Sequence, residues 1–280
     1  MNSYERGSKF NSDLACERGR MKITGGASFK KEPATIGEWE RIKILEEEGE
    51  RCIGRPKGSY DTLHLPPFSE MDSIDQEDTA DEVSDELIRM CKEKRIIPTR
   101  VLVIGLGNRN LTPDSIGPKS ADGINPTMHI ARADRAMFNE LKCSEIAVVT
   151  PGVKGMNGID TPDLVSGLAE RICPTLVIAI DSLAARSPKR LGTTIQFSDT
   201  GIHPGSGVGF HEKAIDEDLM GAPVIAIGVP TVIDSKLLVE GEGGGLTSNM
   251  LVCPKEIDVT TDVAAKIISG GINRAFGLVL

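Results

Sequence analysis

The sequence predicts an α/β protein with a layered, largely parallel sheet flanked by helices. Four short apolar runs carry this prediction, at residues 101–104, 146–149, 176–180 and 224–227. Continuous apolar strands of this length are typical of parallel sheets that are buried on both faces. Helix-like segments at about 127–141 and 162–172 lie between the runs, where they can serve as crossover helices, and a last helix is predicted over about 259–276.

The first hundred residues have a mixed pattern. Alternating polar and apolar residues at 41–44, and the segment 60–65 in front of Pro66, predict two strands. Thr79 and Glu82 match a capping box, so we expect a helix to begin there and to run to about Arg95, behind an exposed acidic stretch. We therefore divide residues 14–280 into an N-terminal part, 14–99, and an α/β core, 100–280.

Composition and charge exclude several classes of protein. The 280 residues carry a formal net charge of −9 and only 4% aromatic side chains, so neither a basic face for duplex DNA nor a stacking surface for single strands is expected. No apolar run approaches the ~18 residues that a membrane helix needs, and no secretory signal is seen. The six cysteines are scattered singly, which favours reduced thiols and a cytoplasmic location.

Two aspartates follow apolar runs of the predicted sheet. Asp181 comes directly after the run 176–180, and Asp114 lies in the loop after the run 101–104. Ligands of open α/β sheets bind beyond the carboxyl ends of the strands, so these two carboxyls are candidates for one site. If they approach, one can hold a proton while the other stays ionised, which suits general acid–base hydrolysis. The alternative is that each simply caps a turn.

Other motifs give weaker indications. The loop that starts at Gly105 lacks the third glycine of a dinucleotide-binding fingerprint. Asp199-Thr200-Gly201 spells the motif of two-lobed aspartic proteases, but it occurs once, and a turn explains it equally well. No paired histidine motif and no Cys-x-x-Cys pair supports zinc, so no metal and no cofactor are expected.

Several longer stretches, taken in order, resemble the germination protease family of endospore-forming bacteria. The matching stretches are residues 105–108, 112–114, 151–153, 178–186, 194–196, 199–209 and 223–234. The resemblance implies an atypical aspartic endopeptidase that degrades small acid-soluble spore proteins in the spore core at germination. It also implies a catalytic pair at Asp114 and Asp181, a core similar to that of hydrogenase-maturation endopeptidases, a homotetramer, and no cofactor.

The same resemblance implies that the chain is made as a zymogen that cuts itself. Family members cleave between an acidic residue and a large apolar one that is followed by Ala, and Asp13-Leu14-Ala15 fits this pattern. The predicted bond is Asp13–Leu14, which leaves residues 1–13 as a propeptide; an ordinary frayed terminus is the alternative. Arg186 is the candidate for binding the acidic side chain of a substrate.

Two other functions remain open at this point. The first is a metal-dependent maturation endopeptidase of the hydrogenase type, in which the same carboxylates would bind a metal. The second is a spore-associated binding or assembly protein without catalytic activity. Metal analysis and a peptide-cleavage assay distinguish these functions.

Overall fold

The computed structural model describes residues 14–15, 25–205, 213–238 and 250–278. Within these ranges, nine strands join into one sheet. The strands are β1 (Ala27–Pro33), β2 (Glu38–Ile44), β3 (Gly58–His64), β4 (Arg100–Gly105), β5 (Glu145–Val149), β6 (Leu176–Ala185), β7 (Thr194–Ser198), β8 (Val224–Asp234) and β9 (Leu251–Val252). The predicted propeptide, residues 1–13, lies outside the described residues.

The sheet is mixed, in the order β1-β2-β3-β7-β8-β6-β4-β5, with β9 paired to β8. Strands β8, β6, β4 and β5 run parallel, as the apolar runs predict. The remaining pairings are antiparallel. The α/β class is therefore confirmed. The sheet contains more antiparallel strands than the sequence predicts, because the antiparallel pairing of β3 with β7 joins the N-terminal strands to the core sheet.

Helices lie on both faces of this sheet. They are α1 (Glu47–Ile53), α2 (Ser73–Lys94), α3 (Ile116–Asp122), α4 (Met128–Ala133), α5 (Arg135–Leu141), α6 (Lys154–Asn157), α7 (Thr161–Ile172), α8 (Glu217–Met220) and α9 (Ile257–Phe276). Short 3₁₀ turns span Phe68–Glu70, Thr112–Asp114, Pro188–Arg190 and Ser235–Leu237. No helix among the described residues is long and apolar enough to cross a lipid bilayer.

The predicted start of helix α2 is wrong. The helix begins six residues before Thr79, at Ser73, because the Asp72 side chain accepts hydrogen bonds from the backbone N–H groups of Ile74 and Asp75. Glu82 instead accepts hydrogen bonds from the backbone N–H of Thr35, at 2.7 Å, and from the indole N–H of Trp39, at 2.8 Å. The acidic stretch before residue 79 thus forms the first turns of the helix.

The other helix predictions are confirmed with small changes. The segments at 162–172 and 259–276 correspond to α7 and α9. The segment 127–141 forms two helices rather than one, because Asp134 has an extended backbone and caps the second helix by accepting a hydrogen bond from the N–H of Met137 at 2.9 Å.

Side-chain alternation along β6 separates the two faces of the sheet. Ile178 and Ile180 belong to the main core, which includes residues of α2 and α9. Val177 and Ala179 belong to a second core, which α7 and α8 cover. Because strand side chains alternate, Asp181 falls on this second face.

A third buried cluster occupies the antiparallel half of the second face. It contains Ile42 and Ile44 of β2, Tyr60 of β3 and Leu183 of β6, together with Leu14 and Ala15 from the N-terminal segment. The middle of the second face, between this cluster and the helices α7 and α8, holds a cavity.

Candidate active site

A cavity of about 800 Å³ opens on the second face of the sheet, and both predicted catalytic carboxyls line it. Asp114 reaches it from the loop after β4, and Asp181 from β6. Its apolar wall includes Leu106, Val153 and Leu183. The structure therefore brings the two aspartates to one largely apolar site, as the sequence predicts.

Strand β6 does not end at Asp181, contrary to the sequence expectation. Its parallel pairing with β4 stops at Gly105 and Ile180, and β6 continues beside β8 to Ala185. Asp181 is therefore the first residue of β6 beyond the end of its neighbour β4. Asp181 is only 6% exposed, and its carboxylate accepts a hydrogen bond from the N–H of Ser182 at 2.8 Å, so the side chain is held at the edge of the cavity.

A row of residues across three strands forms the floor of the cavity. Gly228 of β8 pairs with Asp181 on one side and with Gln196 of β7 on the other. Paired residues on neighbouring strands share a face and lie about 4.8 Å apart, so the Cα atoms of Asp181 and Gln196 lie about 10 Å apart. A Cβ at position 228 would lie 2.4 Å from Cδ1 of Leu183, so a larger residue there would displace this wall.

Asp114 is held by the loop that follows β4. The N–H of Leu106 donates a hydrogen bond to the carbonyl of Ile180 at 2.8 Å, which ties the loop to β6 next to Asp181. The N–H of Asn108 donates to Oδ2 of Asp114, also at 2.8 Å. Burial raises the pKa of Asp114 to about 6, and the Asn108 hydrogen bond opposes this shift only in part.

Two buried hydroxyl groups also line the cavity. Ser182 Oγ and Thr231 Oγ1 have no hydrogen-bond partner among the described residues. A buried hydroxyl without a partner costs free energy, and a bound polar ligand would supply partners for both. These hydroxyls are therefore candidates for ligand binding.

The basic residues at the cavity differ from the one the sequence predicts. Arg186 is exposed and is not among the described lining residues, because it follows the end of β6, five residues beyond Asp181. Arg55, Lys154 and His203 line the cavity instead. Lys154 also forms an ion pair with Asp160 at 2.6 Å.

Asp199 has a structural role in this fold. Its Oδ1 accepts a hydrogen bond from the N–H of Ser59 at 2.7 Å, and its Oδ2 lies 3.1 Å from the ammonium of Lys94. The carboxylate thus links β7 to β3 and α2. Thr200 and Gly201 line the cavity, but Asp199 is not among the described lining residues. This geometry favours the turn interpretation of the Asp-Thr-Gly motif.

The lining side chains that could ligate a metal ion are carboxyls, hydroxyls, amides and one imidazole. Among the described residues, no group of three or more histidine, cysteine, aspartate or glutamate side chains is placed to hold a metal ion. His203 lines the cavity, and His64 instead contacts Glu40 at 3.0 Å. His211 lies outside the described ranges.

The fold and the site define an α/β protein with paired carboxyls in an apolar cavity, an arrangement suited to hydrolysis. The sequence model of the family described as Germination protease matches residues 19–242, and the chain belongs to this family of proteases.

Proteins named Germination protease match most of the chain. The one from Caldanaerobacter subterraneus subsp. tengcongensis is 35% identical, over 94% of this chain and 93% of its own length. The one from Clostridium perfringens (strain ATCC 13124) is 34% identical, over 84% of this chain and 82% of its own length. The one from Oceanobacillus iheyensis is 43% identical, over 68% of this chain but only 52% of its own length.

Among solved structures, the NiFe hydrogenase maturation protease HycI from Thermococcus kodakarensis KOD1 is distantly similar, at 17% identity and a TM-score of 0.36. The similarity covers 61% of this chain and 91% of HycI.

Proposed function

We propose that this chain is an aspartic-type endopeptidase that cleaves small acid-soluble spore proteins in the spore core at germination. The observation that carries the aspartic assignment is the placement of Asp114 and Asp181 on one apolar cavity. Membership of the Germination protease family supports the peptidase activity and its timing. The substrate class is the one that the sequence resemblance implies.

The two carboxyls have different roles in hydrolysis, one as general base and the other as general acid. One takes a proton from water as the water oxygen attacks the peptide carbonyl, and the other donates a proton to the amine that leaves. The carbon–nitrogen bond breaks as the water oxygen becomes one oxygen of the new carboxyl. The base then holds the proton that the water lost, and the acid has given its own proton to the amine, so proton exchange with solvent restores the pair. The Ser182 and Thr231 hydroxyls are available to hold the peptide carbonyls during this reaction.

Asp114 is assigned the acid role. Its pKa of about 6 means that it keeps a proton at mildly acidic pH, whereas an exposed aspartate would already be ionised. Asp181, whose Oδ1 accepts the Ser182 N–H, is assigned the base role.

Self-processing at Asp13–Leu14 is part of the same proposal. Leu14 and Ala15, which follow the predicted bond, pack beside the cavity, and this position supports processing by the chain's own site. Removal of residues 1–13 would give the mature protease.

We also propose that the chain forms a homotetramer. Light scattering after size-exclusion chromatography measures the mass of the assembly directly.

A cleavage assay tests the function. The purified chain is incubated with a small acid-soluble spore protein, and the fragments are identified by mass spectrometry. We expect cuts between an acidic residue and a large apolar one, and we expect the rate to persist after treatment with metal chelators. No cleavage, or cuts at unrelated sites, would contradict the substrate assignment. Activity that is lost on chelation and restored by one metal would contradict the aspartic assignment.

A further inference from the structure

Strand β8 contains a bulge next to the candidate active site. The pairing of β6 with β8 shifts between Leu183 and Ala184, which leaves Thr231 of β8 as an extra residue without a partner on β6. A bulge bends its strand and re-aims a side chain, and bulges are frequent beside active sites. Here the bulge residue, Thr231, lines the cavity that both aspartates line.

The hydroxyl of Thr231 is buried and has no internal role in hydrogen bonding. The residue is 0% exposed, and its Oγ1 has no hydrogen-bond partner in the part of the chain that the structure describes. A valine has nearly the same shape and buries no hydroxyl, so the threonine makes the free protein less stable than a valine would. A buried hydroxyl that lines a cavity at this cost is expected to find its partner in a ligand.

Both candidate catalytic carboxyls belong to elements that pack against β8. Asp181 of β6 pairs with Gly228, three residues before Thr231. One strand spacing across the sheet and about two residues along the strand put the Cα atoms of Asp181 and Thr231 about 9 Å apart. The turn Thr112–Asp114 packs on both β6 and β8. A single peptide group in the cavity can therefore meet the two carboxyls and the hydroxyl together.

We propose that the Thr231 hydroxyl donates a hydrogen bond to the carbonyl oxygen of the scissile peptide. As the water oxygen attacks the carbonyl carbon, one electron pair of the C=O double bond moves onto the carbonyl oxygen, and the hydrogen bond to this oxygen becomes stronger. The threonine keeps its proton throughout. When the C=O double bond re-forms, the C–N bond breaks, and the amine takes its proton from the candidate acid.

The inference rests on the proposed function and deepens it. In the roles assigned above, one aspartate acts on the water and the other on the leaving amine, so neither is assigned to the negative charge that develops on the carbonyl oxygen. A neutral hydroxyl is a suitable donor there, because it stabilises this charge without adding a third ionisable group to the site.

Steady-state kinetics of Thr231→Val in the full chain test this assignment on a peptide that contains Asp-Leu-Ala. Removal of one donor to a developing oxyanion lowers kcat by about 10²–10³-fold. We expect kcat to fall by about 100-fold with KM within about threefold of wild type, because the hydrogen bond strengthens only in the transition state. Thr231→Ser keeps a hydroxyl and should retain kcat within about tenfold. A loss confined to KM would overturn the assignment.

Thr62→Val is the matched control. Thr62 of β3 is 1% exposed and also has a hydroxyl without a partner among the described residues, but it is not one of the residues described as lining the cavity. Both valine variants should keep or raise the melting temperature, by on the order of 2 °C, and only Thr231→Val should lose activity. A melting temperature that falls in Thr231→Val but not in Thr62→Val would show that the Thr231 hydroxyl serves the fold, and would overturn the inference.

Binding of two uncleavable peptide analogues tests the contact without catalysis. A tetrahedral phosphinate replaces the scissile carbonyl in the first, and a methylene group, which has no oxygen, replaces it in the second. Thr231→Val should weaken binding of the phosphinate by about 100-fold and binding of the methylene analogue by less than about threefold, as measured by titration calorimetry.

The outcomes separate this inference from the proposed function. Equal effects of Thr231→Val on the two analogues would overturn the role of Thr231 even if the wild-type chain cleaves spore proteins. The expected selectivity in a wild-type chain that cleaves no spore protein would retain Thr231 as the donor and reject the proposed function.

Discussion

Gly107 and Asp114 are in such close contact that a side chain at position 107 would displace the candidate acid. A Cβ on Gly107 would lie 2.2 Å from the carbonyl oxygen of Asp114 and 2.9 Å from its Oδ1. The φ angle of Gly107 is also 105°, a backbone conformation that residues with a side chain rarely adopt. The position of the carboxyl therefore depends on a glycine seven residues before it.

Gly107→Ala should lower kcat by about 100-fold, because a misplacement of about 1 Å at a reacting group has effects of this size. Gly167→Ala is the matched control: Gly167 lies in helix α7, with nothing within 4 Å of its added Cβ. The comparison is made by steady-state kinetics together with thermal melting. A folded Gly107→Ala protein with wild-type kcat would show that the function of Asp114 does not depend on the glycine at position 107.

Asp199→Asn should lower thermal stability and leave kcat within about threefold of wild type, because the residue holds β3 and α2 rather than substrate. The amide oxygen can still accept the Ser59 N–H, but the ion pair with Lys94 is lost. Asp199→Ala removes both contacts and should be the less stable of the two. Thermal melting measures the stability of the two variants, and a peptide-cleavage assay measures their kcat. A fully folded but inactive Asp199→Asn protein would restore the Asp-Thr-Gly motif as a catalytic candidate.

The free energy of unfolding should depend on Asp114 in a defined pH range. Burial raises its pKa from 3.8 to about 6, so the folded chain binds more protons than the unfolded chain between these values. Wild-type stability therefore falls as pH rises from about 4 to about 6, and Asp114→Asn lacks this loss. Above that range the variant should be more stable by on the order of 3 kcal/mol, and below it the two should converge. Chemical denaturation at several pH values measures the difference in free energy of unfolding between the two proteins. A difference that does not change with pH would contradict the raised pKa of Asp114.

Maturation should cut the Asp13–Leu14 bond, and Leu14→Asp should block it. Leu14 is fully buried, so an Asp there would place an unpaired carboxylate among apolar side chains. The control is Leu45→Asp, at an exposed position, which should be processed normally. Intact-mass analysis and N-terminal sequencing identify the product. A mature terminus other than Leu14, or normal processing of Leu14→Asp, would reject this site.

The parallel half of the fold and its two aspartates could be predicted from the sequence for one physical reason. Strands buried on both faces are continuous apolar runs, and the carboxyl ends of parallel strands meet at one edge of a sheet. This places Asp114 and Asp181 on one cavity even though 67 residues separate them in the chain.

The other wall of the cavity could not be predicted in this way. Tyr60 and Gln196 reach it because β3 pairs with β7, and no local pattern specifies a pairing between such distant strands. For the same reason, proximity in sequence favoured Arg186, whereas the sheet brings Arg55 to the cavity. The sequence does not identify the helix start at Asp72, because Asp72 with Asp75 and Thr79 with Glu82 both match a capping pattern. The contact of Glu82 with Thr35, which is distant in the chain, decides between them.

The most direct test of the central claim is single-turnover cleavage of a small acid-soluble spore protein by Asp114→Asn and Asp181→Asn. The control is Asp85→Asn, on the exposed side of helix α2, with circular dichroism to show that all three proteins are folded. General acid–base groups each contribute about 10²–10⁴-fold, so both site variants should lose at least about 100-fold in rate while Asp85→Asn keeps the wild-type rate. A folded Asp114→Asn or Asp181→Asn protein that cleaves at a near wild-type rate would contradict the assignment of these two carboxyls as the catalytic pair.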